Sequence, residues 1–378
     1  MYLTFYHEPK DTQRQLTFQE ALDRLYAGRT VEPVIPQYKY QHTQTINTPY
    51  AVPPNHAERI TRMWLELKGF QVGINALLEY DRHELYHSFQ IPKRTGGMRQ
   101  IDAPIDELKV ILRMLNDTFN YKLHALPHNA AHAYVGNRST LTGMQVHQKN
   151  KSRWFLKLDI KDFFPSCTTE LIHTQLKQLH PFWALYKTDE TLMNKIVDIA
   201  TLDGKLPQGS PLSPTLTNLM MIPLDHIINV HLQTYQPEQR FVYTRYADDI
   251  LISSRTSFAW REMQTEIQRL FDNKFIIKTE KTRYGSSAGR NWNLGLMLNK
   301  DNNITIGYKE KERLRAMAHN LTTNPTAWTL EGLQVFQGKL SYVASIEPAH
   351  VQALNAKYQH FGYTLDKAIK EEIKRRRD

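Results

Sequence analysis

The sequence contains a single cysteine, Cys167, among 378 residues, and this scarcity excludes several kinds of site. One thiol cannot form an intramolecular disulfide, and it cannot build a zinc site that needs several cysteine ligands. Such a composition is typical of proteins in a reducing compartment. We therefore interpret Cys167 as a small packing residue and expect a cytoplasmic protein.

Long apolar runs are also missing from the chain. No stretch approaches the ~20 consecutive apolar residues that a membrane helix needs. Residues 1–10 lack the basic and then apolar pattern of a secretory signal. Hydrophobic residues still make up 41% of the chain, which is enough for a packed interior. We expect no membrane partner, and two or three domains that share a continuous core.

Acidic residues are outnumbered by basic ones. The chain has 48 lysines and arginines against 38 acidic residues, and its formal net charge is +10. An excess of this size favours a polyanionic partner, of which nucleic acid is the commonest. Because many basic proteins bind no such partner, the identification of nucleic acid depends on the motifs that follow.

The hydrophobic pattern predicts alternating helices and strands. Residues 1–55 are rich in proline and predict an irregular arm after about residue 25. A single strand is predicted at residues 153–158, and the chain from residue 310 onward is predicted to be helical. Further helices are predicted at residues 57–68, 74–86, 105–123, 169–179 and 211–231, and hairpins at 91–101, 241–254 and 293–306. This order indicates an α+β fold.

Two adjacent acids, Asp248 and Asp249, lie between apolar stretches that predict the strands of a hairpin. Neighbouring carboxylates repel one another and are costly to desolvate unless a cation neutralises them. A hairpin tip that holds them suits Mg²⁺, which prefers oxygen ligands. An Asp-Asp pair is also an ordinary turn dipeptide, so this motif alone leaves both interpretations open.

A third acid, Asp159, stands where the predicted strand at residues 153–158 ends. Two-metal phosphoryl transfer needs carboxylates that bridge ions ~3.5–4 Å apart. Asp159 and Asp248 together would meet this requirement, with one ion activating the attacking 3′-hydroxyl and the other holding the triphosphate. Asp162 has a weaker claim, because it is equally suited to cap the next helix.

Five segments resemble, in the expected order, the motifs of reverse transcriptases, and specifically the bacterial group that includes retron and group II intron enzymes. Residues 156–164 (LKLDIKDFF) and 246–249 (YADD) resemble the two catalytic boxes. Residues 206–214 (LPQGSPLSP) resemble the motif that contacts template and nucleotide. Residues 91–99 (IPKRTGGMR) resemble the fingers hairpin that grips the triphosphate, and residues 338–342 (GKLSY) resemble the thumb signature.

The resemblance implies an α+β right-hand polymerase, with fingers, a palm built on an antiparallel sheet and a helical thumb. Its expected parts are an N-terminal extension at 1–56, fingers at 57–150, a palm at 151–308 that includes part of the fingers, and a thumb with a basic tail at 309–378. The implied activity is RNA-directed DNA synthesis with two Mg²⁺ ions, for which Mn²⁺ can substitute. The implied partners are an RNA template, a DNA primer or product and deoxynucleoside triphosphates, and an effector or second subunit is also compatible.

The same resemblance assigns residues to the chemical step. The metal ions are expected at Asp159, Ile160, Asp248 and Asp249. Lys281, in the polar segment KTEKT, is expected to protonate the leaving pyrophosphate as a general acid. Because that segment is polar, Lys281 is alternatively an ordinary surface lysine.

A nucleotide site of five residues is implied in the same way. Lys93 and Arg99 would neutralise the triphosphate, Arg99 as a planar fork and Lys93 as a point charge. Gln208 would contact the nascent base pair or the sugar, and Gly209 would allow close approach of the backbone. Phe164 would stack under the deoxyribose and exclude a 2′-hydroxyl. The ordinary alternatives are a solvated hairpin, a plain loop and core packing.

A primer and template site is implied by two further segments. The first would form a hairpin that grips the primer end, and the second would lie on a helix that tracks the minor groove of the duplex. The residues concerned are Leu294, Gly295, Gly338, Lys339 and Tyr342. The basic tail at residues 374–377 would either touch phosphates or remain a solvated terminus.

The chain departs from the family in a few places. The Asn-Ala-x-x-His element typical of retron enzymes is not found between Asp159 and Gln208, and the usual Val-Thr-Gly is replaced by Asn-Leu-Gly at residues 293–295. The short segment after the thumb signature leaves no room for an endonuclease or RNase H domain, which disfavours a mobile intron enzyme. We therefore expect a stand-alone enzyme of bacterial anti-phage defence, acting on a dedicated non-coding RNA.

Three other activities are compatible with the same fold. An RNA-dependent RNA polymerase is disfavoured by Phe164, because a small residue is expected where ribonucleotides are accepted. A non-catalytic RNA-binding scaffold predicts damaged metal ligands, whereas Asp159, Asp248 and Asp249 are all present. A template-independent or protein-primed DNA polymerase stays open, and it would be recognised by synthesis without added template or by product attached to tyrosine or serine.

Overall fold

The fold is known from a computed structural model, which describes residues 56–93, 96–122, 127–288, 292, 294–360 and 363–376. The expected N-terminal arm at residues 1–55 lies outside these residues. Within the described ranges, no helix combines the length and the apolar character that crossing a lipid bilayer requires.

The first described region is helical and leads into a long hairpin. Its elements are helices α1 (His56–Lys68) and α2 (Gln71–Leu77), a 3₁₀ turn (Arg82–Leu85) and antiparallel strands β1 (Tyr86–Pro92) and β2 (Met98–Pro104). The predicted hairpin is confirmed and is longer than expected. The helix predicted for residues 74–86 is wrong after Leu77. The Asp81 side chain accepts a hydrogen bond from the His83 N–H and caps the 3₁₀ turn, and Tyr86 then begins β1.

Eight helices of the described chain surround the central sheet or pack beside it. They are α3 (Asp106–Asp117), continued by a π-helical turn (Thr118–Lys122), and α4 (Thr140–Lys149), α5 (Phe163–Ser166), α6 (Thr169–Leu176), α7 (Phe182–Thr188), α8 (Glu190–Ala200), α9 (Ser213–Thr234) and α10 (Trp260–Leu270). The predictions of α3, α6 and α9 are confirmed. Helices α4, α7, α8 and α10 were not predicted.

The central sheet has four antiparallel strands in the order β4-β5-β3-β6. They are β3 (Trp154–Asp159), β4 (Val242–Tyr246), β5 (Asp249–Ser254) and β6 (Arg283–Ser286). Both the single predicted strand and the predicted hairpin at 241–254 are confirmed. In the pairing of β3 with β5, Trp154 lies opposite Ser254 and Asp159 lies opposite Asp249. The motif acids therefore reach the same end of the sheet.

The two faces of the sheet belong to two hydrophobic clusters, because successive side chains of a strand point to opposite faces. Leu156 and Ile250 pack into the larger cluster, which includes α1, α3 and α6 to α10. Phe155 and Leu251 pack into the smaller cluster, which includes the C-terminal helices. The Phe155 ring stacks on Trp292 with ring centroids 5.4 Å apart. The sheet is thus buried on both faces.

The C-terminal region begins with the predicted hairpin at 293–306, which is confirmed, and continues as helices. Its elements are β7 (Met297–Leu298), β8 (Ile304–Thr305), α11 (Tyr308–Thr323), α12 (Leu330–Ile346), α13 (Pro348–Lys357), β9 (Gln359–His360), β10 (Tyr363–Thr364) and α14 (Leu365–Arg375). Helix α12 buries one apolar stripe, formed by Leu333, Phe336, Leu340 and Val343. The small β9–β10 hairpin interrupts the helices and was not predicted.

Candidate active site

Three motif acids meet at one end of the central sheet. Asp159 ends β3 opposite Asp249, the first residue of β5. Asp248 lies in the two-residue turn between β4 and β5, and its carbonyl accepts a hydrogen bond from the Ile160 N–H at 3.0 Å. The other turn residue, Ala247, has a φ of 55°, a left-handed conformation that is uncommon for residues other than glycine. The predicted convergence of residues 89 or more positions apart in the chain is therefore present in the fold.

The environment of Asp248 disfavours the charged form of its carboxyl group. Burial raises the pKa of Asp248 to about 6, and the negative charges of Asp249 and Asp159 act in the same direction. A carboxyl group with this environment gains from any cation that neutralises the cluster. Acids with perturbed pKa values cluster at functional sites, so this turn is a candidate active site.

Three lysine side chains form ion pairs with two of the acids. Lys281 Nζ lies 3.0 Å from Asp159 Oδ2 and Lys278 Nζ lies 3.2 Å from Asp159 Oδ1. Lys157 Nζ lies 2.8 Å from Asp249 Oδ2. Burial lowers the pKa of Lys281, but its hydrogen bond to Asp159 and the charges of the acids outweigh this, and the net pKa is raised. Lys281 is therefore placed at the acids as predicted.

Two of these lysines were missed in the sequence, although a signal for each was present. Lys157 lies two residues before Asp159, and side chains two apart share one face of a strand. Lys278 lies three residues before Lys281, next to the 3₁₀ turn Thr279–Lys281, so both reach the same carboxylate.

The acids offer the donor chemistry that a divalent cation needs. Asp159 Oδ1 is buried and accepts no hydrogen bond, although Lys278 Nζ lies 3.2 Å away, and Asp248 carries a raised pKa. Carboxylate oxygens are the ligands that Mg²⁺ prefers. The Asp249 carboxylate instead contacts Lys157, and among the described residues no three acidic, histidine or cysteine side chains are gathered closely enough to form a complete metal site. Asp159 is likewise paired with Lys278 and Lys281, so Asp248, which forms no ion pair with a described residue, fits the ion best, and Asp159 lies beside it. The Ile160 side chain is a buried hydrocarbon without a donor atom, so only its carbonyl group could act as a ligand.

An aromatic pair lies beside the acids. Phe164 belongs to the short helix α5, which follows Asp162 in a left-handed conformation with a φ of 45°. Its ring meets that of Tyr134 edge to face, with centroids 6.4 Å apart. Burial raises the pKa of Tyr134 to about 12, with the charge of Asp248 acting in the same direction and Arg99 acting against it. Tyr134 was not predicted; it contacts Phe164 and lies within electrostatic range of Asp248 and Arg99.

The loop that carries Gln208 and Gly209 is fixed to the β1–β2 hairpin. The Asp102 N–H donates to the Gln208 carbonyl at 2.7 Å. Gly209 has a φ of 129°, and a Cβ atom at this position would lie 2.7 Å from the Asp102 carbonyl oxygen. Only glycine fits so close to another backbone.

Lys93 and Arg99 are both on the β1–β2 hairpin but in different positions. Arg99 lies opposite Ile91 within the ladder. The Lys93 N–H donates to the Gly97 carbonyl at 2.9 Å and closes the exposed tip, of which residues 94–95 lie outside the described residues. In the described part of the chain, the Lys93 side chain forms neither a hydrogen bond nor an ion pair, so the structure does not bring it to the acids.

The predicted primer and template residues divide into two groups. Tyr342 reaches the catalytic hairpin, since it contributes, after burial, to the raised pKa of Tyr246. Leu294 and Gly295 form a turn before β7 with φ values of 48° and 108°. Gly338 is exposed on α12 with open space around it.

Some predicted phosphate contacts are engaged within the protein instead. Lys339 Nζ lies 2.6 Å from Glu310 Oε1 on α11. In the basic tail, Arg376 Nη2 donates to the Pro325 carbonyl at 2.9 Å, and Arg377 lies outside the described residues. These cations are used to hold the helices of the C-terminal region together.

A buried ion pair supports the turn that carries Asp248. Arg245 and Asp225 are both fully buried, and Arg245 donates to the two carboxylate oxygens at 2.9 Å and 2.8 Å. Arg245 Nη1 also donates to the carbonyl of Ala247 at 3.2 Å, and the Tyr243 hydroxyl donates to Asp225 at 2.6 Å. Arg245 lies three residues before Asp248, but nothing in the sequence marked it as more than a strand residue.

Comparison with known proteins identifies relatives of this chain. Residues 91–319, more than half of the chain, match the sequence model of the family described as "Reverse transcriptase (RNA-dependent DNA polymerase)". Retron Ec83 reverse transcriptase of Escherichia coli is 28% identical over 295 residues, which cover 76% of this chain and 90% of that protein. Retron Ec73 reverse transcriptase of the same species is 30% identical over 278 residues, which cover 71% and 86%.

Two further proteins are also similar. Retron Mx65 reverse transcriptase of Myxococcus xanthus is 29% identical over 301 residues, which cover 75% of this chain and 68% of that protein. Among solved structures, apo telomerase from Candida tropicalis aligns at a TM-score of 0.47 with 14% identity over 83% of this chain and 63% of that chain, and the assignment does not depend on it. The chain belongs to the reverse transcriptase family and is an RNA-directed DNA polymerase of the bacterial retron type, with a right-hand polymerase fold.

Proposed function

We propose that this enzyme adds deoxynucleotides by two-metal-ion phosphoryl transfer on a dedicated non-coding RNA. The observation that carries the proposal is the meeting of Asp159 and Asp248 at the end of the sheet. Burial and the negative charges of Asp249 and Asp159 raise the pKa of Asp248 to about 6. A divalent cation would favour the charged form of Asp248 and offset this repulsion.

In this mechanism Asp159 and Asp248 would hold the ions, with the Ile160 carbonyl and Asp249 as further ligands. Bound Mg²⁺, or Mn²⁺ in its place, would lower the pKa of the primer 3′-hydroxyl and neutralise the triphosphate. Lys281 then serves as the general acid for pyrophosphate. A lysine ammonium group is protonated at neutral pH, so it has a proton to donate.

The nucleotide is held by groups on three elements. Phe164 and Tyr134 form an aromatic floor for the sugar, and the phenyl ring of Phe164 offers no hydrogen bond to a 2′-hydroxyl. Arg99 and Lys93 neutralise the triphosphate from the β1–β2 hairpin. The Gln208–Gly209 loop is fixed to that hairpin through Asp102, so closure of the hairpin would move both contacts together.

The identity of the template and the biological role are also proposals. The relatives are named retron reverse transcriptases, and this supports a cognate non-coding RNA as the template. A net charge of +10 supports an extended contact with RNA phosphates. A role in anti-phage defence, an effector partner and a bacterial cytoplasmic location remain predictions. Sequencing of the nucleic acid that copurifies with the protein tests the template directly, and random cellular RNA without an enriched species would contradict it.

The catalytic part is tested by primer extension on an RNA template with deoxynucleotides. Asp159→Asn and Asp248→Asn should abolish synthesis while RNA binding, measured by filter retention, stays close to that of the parent. Asp162→Asn is the matched control, because Asp162 is exposed, caps no backbone group and has a left-handed φ that asparagine tolerates. Normal synthesis by either of the first two variants would contradict the proposal.

A further inference from the structure

Six basic side chains surround the end of the central sheet that lies opposite the catalytic acids. This end is formed by the first residues of β3 and β4 and the last residues of β5, since the strands are antiparallel. All six side chains are exposed. We name them the basic patch: Lys149, Lys151, Arg153, Arg240, Arg255 and Lys300.

The segments that carry the patch are joined by hydrogen bonds. Arg255 Nε donates to the Asn150 carbonyl at 2.8 Å, and Asn150 Nδ2 donates to the Arg240 carbonyl at 2.8 Å. Arg153 Nη1 donates to the Lys300 carbonyl at 3.4 Å. The basic patch is therefore a surface built by four chain segments, not a run of like charge in the sequence.

No acid of the described chain neutralises this surface. None of the six cations forms an ion pair with a described residue, and the exposed acids of the same loops, Glu238 and Asp301, form none either. At the catalytic end of the same sheet, by contrast, Lys157, Lys278 and Lys281 are all paired with acids. Six cations against two acids leave a net positive surface that attracts polyanions.

We propose that the basic patch binds the phosphate backbone of the template RNA outside the catalytic cleft. This inference rests on the proposed function, since it takes the RNA template as the partner. β3 advances by about 3.3 Å per residue, so the six steps from Arg153 to Asp159 place the patch about 20 Å from the catalytic acids. An RNA that reaches the patch must therefore extend beyond the segment being copied.

RNA is favoured over an acidic protein by the composition of the surface. Protein interfaces are centred on aromatic and apolar anchors. None of the exposed large apolar side chains belongs to residues 149–153, 239–240, 255–256 or 299–302. Contacts to a phosphate backbone need only positive charge and hydrogen-bond donors, and the patch supplies these.

The test compares RNA templates of two kinds by equilibrium binding at several salt concentrations. The first is a short primed template that fills only the cleft, and the second is the same template lengthened at its 5′ or its 3′ end. The variant Lys149→Gln/Lys151→Gln/Lys300→Gln removes three charges that make no side-chain hydrogen bond in the described chain. It should bind one of the lengthened templates on the order of tenfold more weakly, with a salt slope reduced by about 2. Binding and extension of the short template should be unchanged.

Two controls make the result decisive. Lys177→Gln/Lys187→Gln/Lys205→Gln removes three exposed lysines from other faces and should change neither template's binding. Arg153→Gln/Arg255→Gln should reproduce the loss, and melting curves that match the parent would show that these variants fold. Equal affinity of parent and patch variants for every template would overturn the proposal, as would binding of poly-glutamate to the patch in place of RNA. If the short template is not extended even by the parent, the proposed function fails instead.

Discussion

At the scale of single residues, the turn that carries Asp248 is supported by residues outside the YADD motif. Arg245 and Asp225 are fully buried, and their pair fixes the Ala247 carbonyl next to Asp248. Burying two charges is costly, and the cost is offset only when each hydrogen bond is made. We interpret the pair as a support that holds the strained turn in place.

Breaking this pair should destabilise the protein and slow DNA synthesis. Arg245→Met leaves the Asp225 carboxylate buried without its cation, and we expect a loss of about 3–5 kcal/mol in the free energy of unfolding. Urea denaturation measures it. Arg62→Met is the control, because its pair with Glu58 is exposed on α1 and should matter by less than about 1 kcal/mol. Equal stability of Arg245→Met and parent would show that the pair is dispensable.

Sugar selection is the second prediction at this scale. Phe164→Val should raise ribonucleotide incorporation, because the space that excludes a 2′-hydroxyl opens, and should lower deoxynucleotide use modestly. Primer extension with each nucleotide type gives the ratio of kcat/KM. Phe163→Val is the control, because Phe163 is buried beside it and should affect stability without changing the ratio. An unchanged ratio in Phe164→Val would mean that this ring only packs.

The site residues that could be predicted from the sequence are those whose chemistry is unusual for their position in the chain. Asp159 and Asp248 were found because acids at the ends of apolar strands need an explanation. Tyr134 was missed because it becomes part of the site only through a tertiary contact with Phe164. Nothing local distinguishes such a tyrosine from any other.

At the scale of elements, α4 is attached to the central sheet by a buried histidine. His147 Nδ1 lies 2.6 Å from the Ser253 hydroxyl on β5, and Nε2 lies 2.8 Å from the Thr244 hydroxyl on β4. A neutral ring can donate through one nitrogen and accept through the other, which suits this position. Burial lowers the pKa of His147 to about 3, with His132 acting in the same direction.

The stability of the protein should therefore fall as the solution becomes acidic. An unfolded histidine takes up its proton near pH 6.5, whereas folded His147 resists protonation down to about pH 3. The unfolded state binds more protons in this range, so the free energy of unfolding decreases as the pH falls from 6.5. His132 adds to the effect, because burial and then Arg138 and Arg245 lower its pKa to about 4.

Urea unfolding at pH 7 and at pH 5 measures this dependence. His147→Gln should be less stable than the parent at pH 7 but should lose less on acidification. His319→Gln, at an exposed position on α11, should behave as the parent does. If the parent and His147→Gln lose stability equally between the two pH values, the buried histidine is not the titrating group.

Element boundaries were predictable where apolar residues recur at the spacing of a helix or strand, as in α1, α9 and β3. The helix predicted at 74–86 ends at Leu77, and Asp81 then caps a separate 3₁₀ turn at Arg82–Leu85. A local side-chain hydrogen bond of this kind competes with helix continuation. Helix α4 was missed because its buried face contains Gly143 and His147 rather than an apolar stripe. Its position is decided by the sheet against which it packs.

At the scale of the whole molecule, the right-hand polymerase fold could be predicted because five segments resemble, in the expected order, the motifs of reverse transcriptases. The division into parts remains a proposal. Helix α4 was assigned to the fingers at 57–150, yet His147 bonds it to strands β4 and β5 of the palm sheet. The basic patch was not predicted, because four distant segments build it. Net charge gives the amount of positive surface but not its location.

The proposed two-metal reaction requires that the acids at one end of the sheet bind divalent cations. Electron paramagnetic resonance of Mn²⁺, with the enzyme bound to primed RNA template and a deoxynucleotide, counts these ions directly. We predict about two bound Mn²⁺ ions per polypeptide for the parent and for Asp162→Asn. Asp159→Asn and Asp248→Asn should bind fewer, with the RNA still attached. Full Mn²⁺ binding by both of these variants would contradict the assignment of the catalytic centre.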